Sequence, residues 1–376
     1  MRPSHLRFAS APIPFRIGFG HASARRERAE NVLVLAEDGE GRKGLGEGCP
    51  RPYVTGETAE SARAFLERHC AELSELGGLE ALREWMELRA ADIDANPSAF
   101  CAPELALLDL YSRQRGVPIE RLLGIDAPSR PLTVTAVYGT GSWAKFGLTA
   151  LLFGLYGMRE AKLKLSGDPG SDRRRAALLR RRGPVRLDAN NLWATAKEAA
   201  LGLAGTADHA WAVEEPIAPR DWAGLREVAD RTGLAIILDE SFTRAEDLAE
   251  ADPRFVANFR VSKLGGLLRA LDALRVAREQ PRRIVVGAQV GETSILARAG
   301  LALAAAAGEG LVGYEGAYGT RLLTQDAATP SIGFGRHGVV DPTRLSLEGE
   351  GLGLRPAMII ERLLLGGSGG HCPKRL

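Results

Sequence analysis

The chain has 376 residues, of which 26% are charged and 45% hydrophobic, and its 49 basic and 47 acidic side chains leave a formal charge of +2. That is ordinary globular composition with room for two or three domains, which excludes a disordered or disulfide-stapled chain and shows no electrostatic footprint for nucleic acid. The longest apolar runs fall far below the roughly 18–20 residues that span a bilayer, and no secretory core stands at the start, so a cytoplasmic chain without a membrane partner is expected.

In chain order, Asn31–Ala36 and Gly44–Gly48 flank the turn-like segment 37–41 and predict a hairpin. Helical patterns follow near Glu57–Leu73, Gly78–Leu88 and Pro103–Gly116, so residues 1–128 read as an α+β domain. Between about 132 and 315 eight short β-type runs alternate with amphipathic helical stretches: Leu132–Tyr138, Ala161–Leu165, Val185–Ala189, Ala210–Val213, Ala235–Asp239, Phe255–Ser262, Ile284–Ala288 and Leu311–Tyr314. Parallel strands need crossover helices, and eight such units predict an α/β fold of the TIM-barrel type over 129–325. A doubly wound sheet is the competitor, but no GxGxxG or GxxxxGKS motif stands where it would need one. The segment 326–376 has no such repeat and is expected to pack back on the first domain, with a flexible tail from about 366. Cys49, Cys70, Cys101 and Cys372 are irregularly spaced and read as reduced thiols.

Three successive strand candidates end in an acid: Asp188, Glu214 and Asp239, spaced 26 and 25 residues apart. The C-terminal ends of neighbouring barrel strands meet around one mouth, so the three carboxylates converge. At about 4 Å and an effective dielectric near 20 each like-charge pair costs roughly 4 kcal/mol, so the group calls for a cation. All-oxygen donors favour Mg2+, with Mn2+ as an alternative. Singly, each acid reads as an ordinary helix N-cap; three in succession, with Glu214 a poor capping type, favour the shared ion.

The basic residues divide into 42 arginines and seven lysines, which draws attention to Lys162, Lys164 and Lys263 beside apolar runs. Lys162 and Lys164 are two apart on one strand and so point to one side, into the barrel. A neighbouring ammonium and a metal are expected to lower a lysine pKa toward neutrality, which makes a general base. A divalent metal beside such a base suits removal of a proton α to a carboxylate, with the metal stabilising the enediolate that forms.

These residues resemble the enolase superfamily in its muconate lactonising enzyme branch, among the mandelate racemase/muconate lactonising enzyme proteins. The likeness rests on Lys162-x-Lys164, Asp188-Ala-Asn190, Glu214-Glu215-Pro216, Asp239-Glu240-Ser241, Lys263-Leu-Gly265-Gly266 and Gly291-Glu292-Thr293-Ser294, in the family's order. It extends to Tyr53-Val-Thr-Gly-Glu-Thr58, Ala106-Leu-Leu-Asp109, Gly116-Val-Pro118 and Leu122-Leu-Gly124. The resemblance implies an α+β capping domain over a modified (β/α)7β barrel and Mg2+ on Asp188, Glu214 and Asp239. It further implies Lys164 as base beside Lys162, and specificity loops around Gly18–Arg25 and Arg51–Thr55, which make His21 and Tyr53 candidate substrate contacts.

Two positions depart from that pattern. Arg260 stands where the branch usually has its second catalytic lysine, and arginine stays protonated, so it can hold a carboxylate or an enolate but does not accept a proton. Lys263 matches a later basic residue of the same motif. At the eighth strand Glu315-Gly-Ala317 replaces the Asp-x-Asp with which dipeptide epimerases bind the substrate ammonium; this resembles the cycloisomerase pattern and weakens a dipeptide reading. Asn190, Glu292 and Glu315 remain candidate substrate contacts. The first reading is therefore one-base chemistry by Lys164 on a small carboxylate, a cycloisomerisation or syn elimination. The second is an amino-acid or dipeptide epimerase or racemase in which Lys263 or another group serves the opposite face. A third, of another class, is a non-catalytic barrel that binds a small acid with its metal. A homo-oligomer is expected on general grounds.

Overall fold

The computed structural model describes residues 2–3, 5–21, 24–345, 347, 349–365 and 370–371, the side chains of 17–21, 24–26 and 370–371 excepted. The side chains of His21 and of the 18–25 loop, and Cys372, thus lie outside what the structure describes. The chain opens with an antiparallel sheet of β1 (His5–His21), β2 (Ala24–Glu37) and β3 (Lys43–Gly48), with Gly370–His371 added to the outer edge of β1. Sequence periodicity predicts the hairpin β2–β3 but not β1. Pro12 and Pro14 argue against a strand there, yet both lie exposed on a long outer strand whose Leu6, Phe8, Ala11, Ile13 and Phe15 face the core.

Five helices follow: α1 (Ala59–Ser74), α2 (Leu79–Leu88), α3 (Ala90–Ala95), α4 (Pro97–Gln114) and α5 (Ile119–Leu123). Helix α4 begins six residues before the expected Pro103, because Pro97 opens it and the buried Glu57 carboxylate accepts from the amides of Ser98 (2.9 Å) and Ala99 (2.8 Å). It lies directly on β3. A Cβ at Gly46 would stand 1.8 Å from the Ala102 carbonyl oxygen, so only glycine permits that approach.

After the short β4 (Leu132–Thr133) come eight parallel strands: β5 (Ala136–Tyr138), β6 (Ala161–Lys164), β7 (Val185–Asp188), β8 (Ala212–Glu214), β9 (Ala235–Leu238), β10 (Val256–Phe259), β11 (Ile284–Val286) and β12 (Leu311–Tyr314). Seven helices connect them: α6 (Trp143–Leu155), α7 (Pro169–Arg180), α8 (Ala196–Leu203), α9 (Trp222–Thr232), α10 (Ala245–Glu250), α11 (Leu267–Glu279) and α12 (Ser294–Ala307). The two edges meet where the Thr135 amide donates to the Tyr314 carbonyl at 2.8 Å. The fold is the modified (β/α)7β barrel with an N-terminal strand cap.

The strand cap is joined to the barrel through helix N-termini. Glu47 of β3 accepts from the Thr293 amide (2.9 Å), the Thr293 hydroxyl (2.7 Å) and the Leu296 amide (3.1 Å) at the start of α12. Glu104 of α4 accepts from the Leu268 amide (2.7 Å) at the start of α11. The C-terminal segment returns as expected: the Leu352 amide donates to Asp109 Oδ1 (2.7 Å), and the Ile119 amide donates to the Gly351 carbonyl (2.9 Å).

Alternation along each strand sets what fills the barrel. Ala212, Ile237, Val256 and Val285 form a separate buried apolar cluster at the lower end. Two residues further along the same strands stand Glu214, Asp239 and Asn258, and then Arg260. The interior thus changes from aliphatic to charged toward the C-terminal strand ends, where barrel enzymes carry their sites.

Candidate active site

Asp188, Glu214 and Asp239 are each buried at successive strand ends, and cations stand between them. Lys162 Nζ lies 3.3 Å from Asp188 Oδ2, 2.8 Å from Glu214 Oε2 and 3.3 Å from Glu315 Oε1. On the other side Arg260 pairs with Asp239 and reaches to 3.6 Å from Glu214 Oε1. The ends of β7 and β8 are turned sharply, with Asn190 (φ 46°), Asn191 (φ 57°) and Glu215 (φ 41°) in the left-handed region. Asparagine tolerates that region far better than glutamate, and such strain gathers at functional sites. The Glu215 carboxylate accepts from the amides of Asp239 (2.6 Å) and Ser241 (2.7 Å) and from the Ser241 hydroxyl (2.8 Å), which fixes how β9 ends.

Lys164 is partly exposed at the mouth and donates to Asn190 Oδ1 (2.7 Å) and Asp188 Oδ2 (3.0 Å). Asn190 accepts from this lysine and so orients it. Arg260 has room because Gly287 lies beside it: a Cβ there would stand 2.3 Å from Asn258 Oδ1 and 3.2 Å from Arg260 Cγ.

Lys263 is wholly buried, donating to the Asp239 carbonyl (2.7 Å), Asp239 Oδ1 (3.0 Å) and the Asn258 carbonyl (2.9 Å). Three acceptors hold its ammonium behind Asp239, so it orients that carboxylate and does not face the mouth as a second base. Glu315 is likewise consumed inside the barrel by Lys162 and by Arg186, which also donates to Thr135 Oγ1 at 3.1 Å. Glu292 is buried and accepts from the Gln289 amide at 2.6 Å. Tyr53 is exposed in the turn after Arg51, and Arg51 donates to the Val290 carbonyl (2.7 Å), tying that turn to the loop that carries Glu292.

The electrostatics follow from burial and crowding. Burial alone would depress Lys162, but Asp188, Glu214 and Glu315 outweigh it and hold the ammonium above the ordinary lysine value. The lowering expected from a neighbouring cation is therefore not found at Lys162. Burial would raise Asp188 and Asp239; Lys162 and Lys164 beside the first, and Arg260 and Lys263 beside the second, pull both below the usual carboxylate range. Glu214 is pushed up by burial, against the pull of Lys162 and with the repulsion of Asp188 and Asp239.

As the side chains stand, no three His, Cys, Asp or Glu groups among the described residues are close enough to share an ion, because Lys162 and Arg260 lie between the acids. The donor set itself suits a hard divalent cation: it is all oxygen, and the buried Asp188 Oδ1 has no hydrogen-bond partner. Sequence reasoning assigns no role to Arg186, Glu215 or Asn258. Arg186 and Asn258 had a signal, since each shares its strand parity with a site residue two positions on.

Residues 151–358 match the family model for the enolase C-terminal domain-like proteins. A hydrophobic dipeptide epimerase of Citrifermentans bemidjiense is 30% identical over 74% of this chain and 79% of its own length. An aromatic dipeptide epimerase of Herpetosiphon aurantiacus is 29% identical over 76% and 81%. A crystal structure of a dipeptide epimerase from Enterococcus faecalis, complexed with Mg and the dipeptide L-Leu-L-Tyr, superposes with a TM-score of 0.81 at 24% identity over 94% of this chain and 99% of the other. Barrel, strand cap and family match agree, and the chain belongs to the enolase C-terminal domain-like family, as an enzyme of the mandelate racemase/muconate lactonising group of the enolase superfamily.

Proposed function

We propose that the protein removes the proton α to the carboxylate of a small substrate from one face only, with Lys164 as the base. The observation that carries this reading is the asymmetry of the mouth: a partly exposed lysine on the β6 side and an arginine on the β10 side. Burial acts against the charge on Arg260, but Asp239 and Glu214 keep it protonated at any working pH. It therefore supplies a fixed positive charge and no lone pair.

Asp188, Glu214 and Asp239 would hold a divalent ion, Mg2+ by the chemistry of the donors. Bound there, the ion would polarise the substrate carboxylate and offset the charge that develops as the proton leaves. Lys164, positioned by Asn190, takes the α-proton and can return it only to the face from which it came. Lys162 counters the acids beneath, and Lys263 and Glu215 fix the orientation of Asp239. The capping turn around Tyr53 covers the substrate side. The division of the chain into 1–128, 129–325 and 326–376 is part of this proposal, as is a cytoplasmic setting.

A second reading is epimerisation of a dipeptide or other N-acylated amino acid, which the named activities of the relatives favour over cycloisomerisation. Dipeptides and N-acyl amino acids are accordingly the substrates to try first. Mg2+ should raise the melting temperature by a few degrees, since a ligand at 100 times its Kd adds about 2.7 kcal/mol, and Asp239→Asn should blunt that response. A melting curve indifferent to Mg2+ at millimolar concentration would remove the metal assignment. Bound carboxylates that take up no solvent deuterium at all would return the protein to a non-catalytic binder.

A further inference from the structure

Helix α6 (Trp143–Leu155) buries only Phe146 fully and presents an apolar stripe to solvent on the opposite side. Leu148, Leu151, Leu152 and Leu155 are 58%, 56%, 48% and 77% exposed. Their spacing is i, i+3, i+4, i+7, the pattern of a helix face that packs against something. Tyr156 extends the stripe at one end and Trp143 flanks it on the side of α7, each about two-fifths exposed. A soluble chain seldom leaves so continuous an apolar face uncovered.

We infer that this face docks on the same face of a second copy of the chain, α6 against α6, about a two-fold axis. The stripe is symmetric about its own midpoint. In an antiparallel pair Leu148 of one copy meets Leu155 of the other, and Leu151 meets Leu152, so one operation covers all four leucines, as an isologous interface requires. The same register sets Tyr156 over Gly147, where an added Cβ would meet nothing within 4 Å. At about 200 Å² for a large apolar side chain, the exposed parts of these six residues offer on the order of 600 Å² per copy. Leu178 on α7, also exposed, and the aliphatic stems of the neighbouring arginines bring this near the ~800 Å² per side of a standard interface.

The flanks decide how the contact responds to salt. Arg174 of α7 lies over the Trp143 ring (5.6 Å), Arg182 donates to the Ala150 carbonyl, and Arg321 lies over the Tyr156 ring (5.0 Å). Cations thus border both sides of the stripe. Any two-fold pairing sets positive rim against positive rim, and such exposed charges are screened beyond about 8 Å at physiological ionic strength. Self-association should tighten as salt rises, whereas an anionic partner would be released.

Sedimentation of the full chain at 0.05 and 0.5 M NaCl tests this. The native chain should have twice the chain mass, or an even multiple of it, with the tighter association at 0.5 M. Leu151→Glu with Leu155→Glu should halve the mass and weaken association at least 100-fold, while the circular dichroism melt stays native. Leu151→Ala with Leu155→Ala should weaken it about tenfold, and decides the matter should the charged pair fail to fold. A native chain that is monomeric at 100 µM, or a charged variant that keeps its mass, overturns the inference. A monomer that binds phosphatidylglycerol vesicles at 0.05 M NaCl and leaves them at 0.5 M assigns the face to anionic lipid instead.

Discussion

At position 260 the exchange of a lysine for an arginine changes which protons can move. A lysine can give up its proton and serve as a base; an arginine between two buried carboxylates does not. Arg260→Lys is therefore expected to create a second base and to let the enzyme exchange the α-proton from both faces, seen as racemisation of a substrate that the native protein leaves with its configuration intact. If Arg260→Lys exchanges from one face like the native protein, the arginine is not what restricts the chemistry. Lys164→Ala should lower α-proton exchange by at least 10³-fold without loss of fold, since its ammonium is partly solvated and Asp188 keeps Lys162 as a cationic partner. Lys263→Ala should act through stability, because it leaves the buried Asp239 without one of its two cationic partners and removing one partner of a buried pair costs about 3–5 kcal/mol.

Two carboxyls that join the strap of capping elements to the barrel give the elements a pH dependence. Burial pushes Glu104 up to about 8 and Glu47 up to about 7, although each accepts amide hydrogen bonds from a helix start that favour its charge. Below the ordinary carboxylate pKa near 4.5 both states are protonated and neither group matters. Between there and about 8 the unfolded chain loses the protons while the folded chain keeps them, so stability falls as pH rises. Glu104→Gln keeps the shape and should flatten that decline by roughly 3 kcal/mol, read from denaturant midpoints at pH 5 and pH 8. An unchanged pH slope in the variant would show that Glu104 is ionised throughout. Most elements were legible from periodicity: the barrel strands and the helices on either side of them fall close to their expected places. The misses have local causes. Pro12 and Pro14 hide β1 by sitting on its solvent face. The expected strand 132–138 is broken into β4 and β5, and the expected strand 255–262 stops at Phe259, where the chain turns toward Gly265 (φ 82°) and Gly266 (φ 113°). The glutamate that caps α4 comes from residue 57, too far along the chain for local reading.

Over the whole molecule the site is a ring of charges set on an aliphatic plug, and its legibility follows that layout. Asp188, Glu214 and Asp239 were visible because each closes its own strand and strand ends converge, and Lys162 and Lys164 because they lie two apart on one strand. What pairing inside the barrel does to a side chain was not visible. Glu315 and Lys263 occupy positions that a motif marks as functional, and inside the barrel they are paired, the first with Arg186 and Lys162 and the second with Asp239. The preference for cycloisomerisation came from the missing Asp-x-Asp, and relatives near 30% identity that are dipeptide epimerases weigh against it. The difference between these readings is one of faces. The most direct measurement is to incubate the native protein with Mg2+ and a panel of dipeptides and N-acyl amino acids in D2O, and to follow deuterium and configuration at the α-carbon together by NMR and chiral chromatography. Deuterium that enters with retention, or accompanies a syn elimination or cyclisation, and is lost in Lys164→Ala, is the predicted result; efficient inversion by the native protein would contradict one-face chemistry at Lys164.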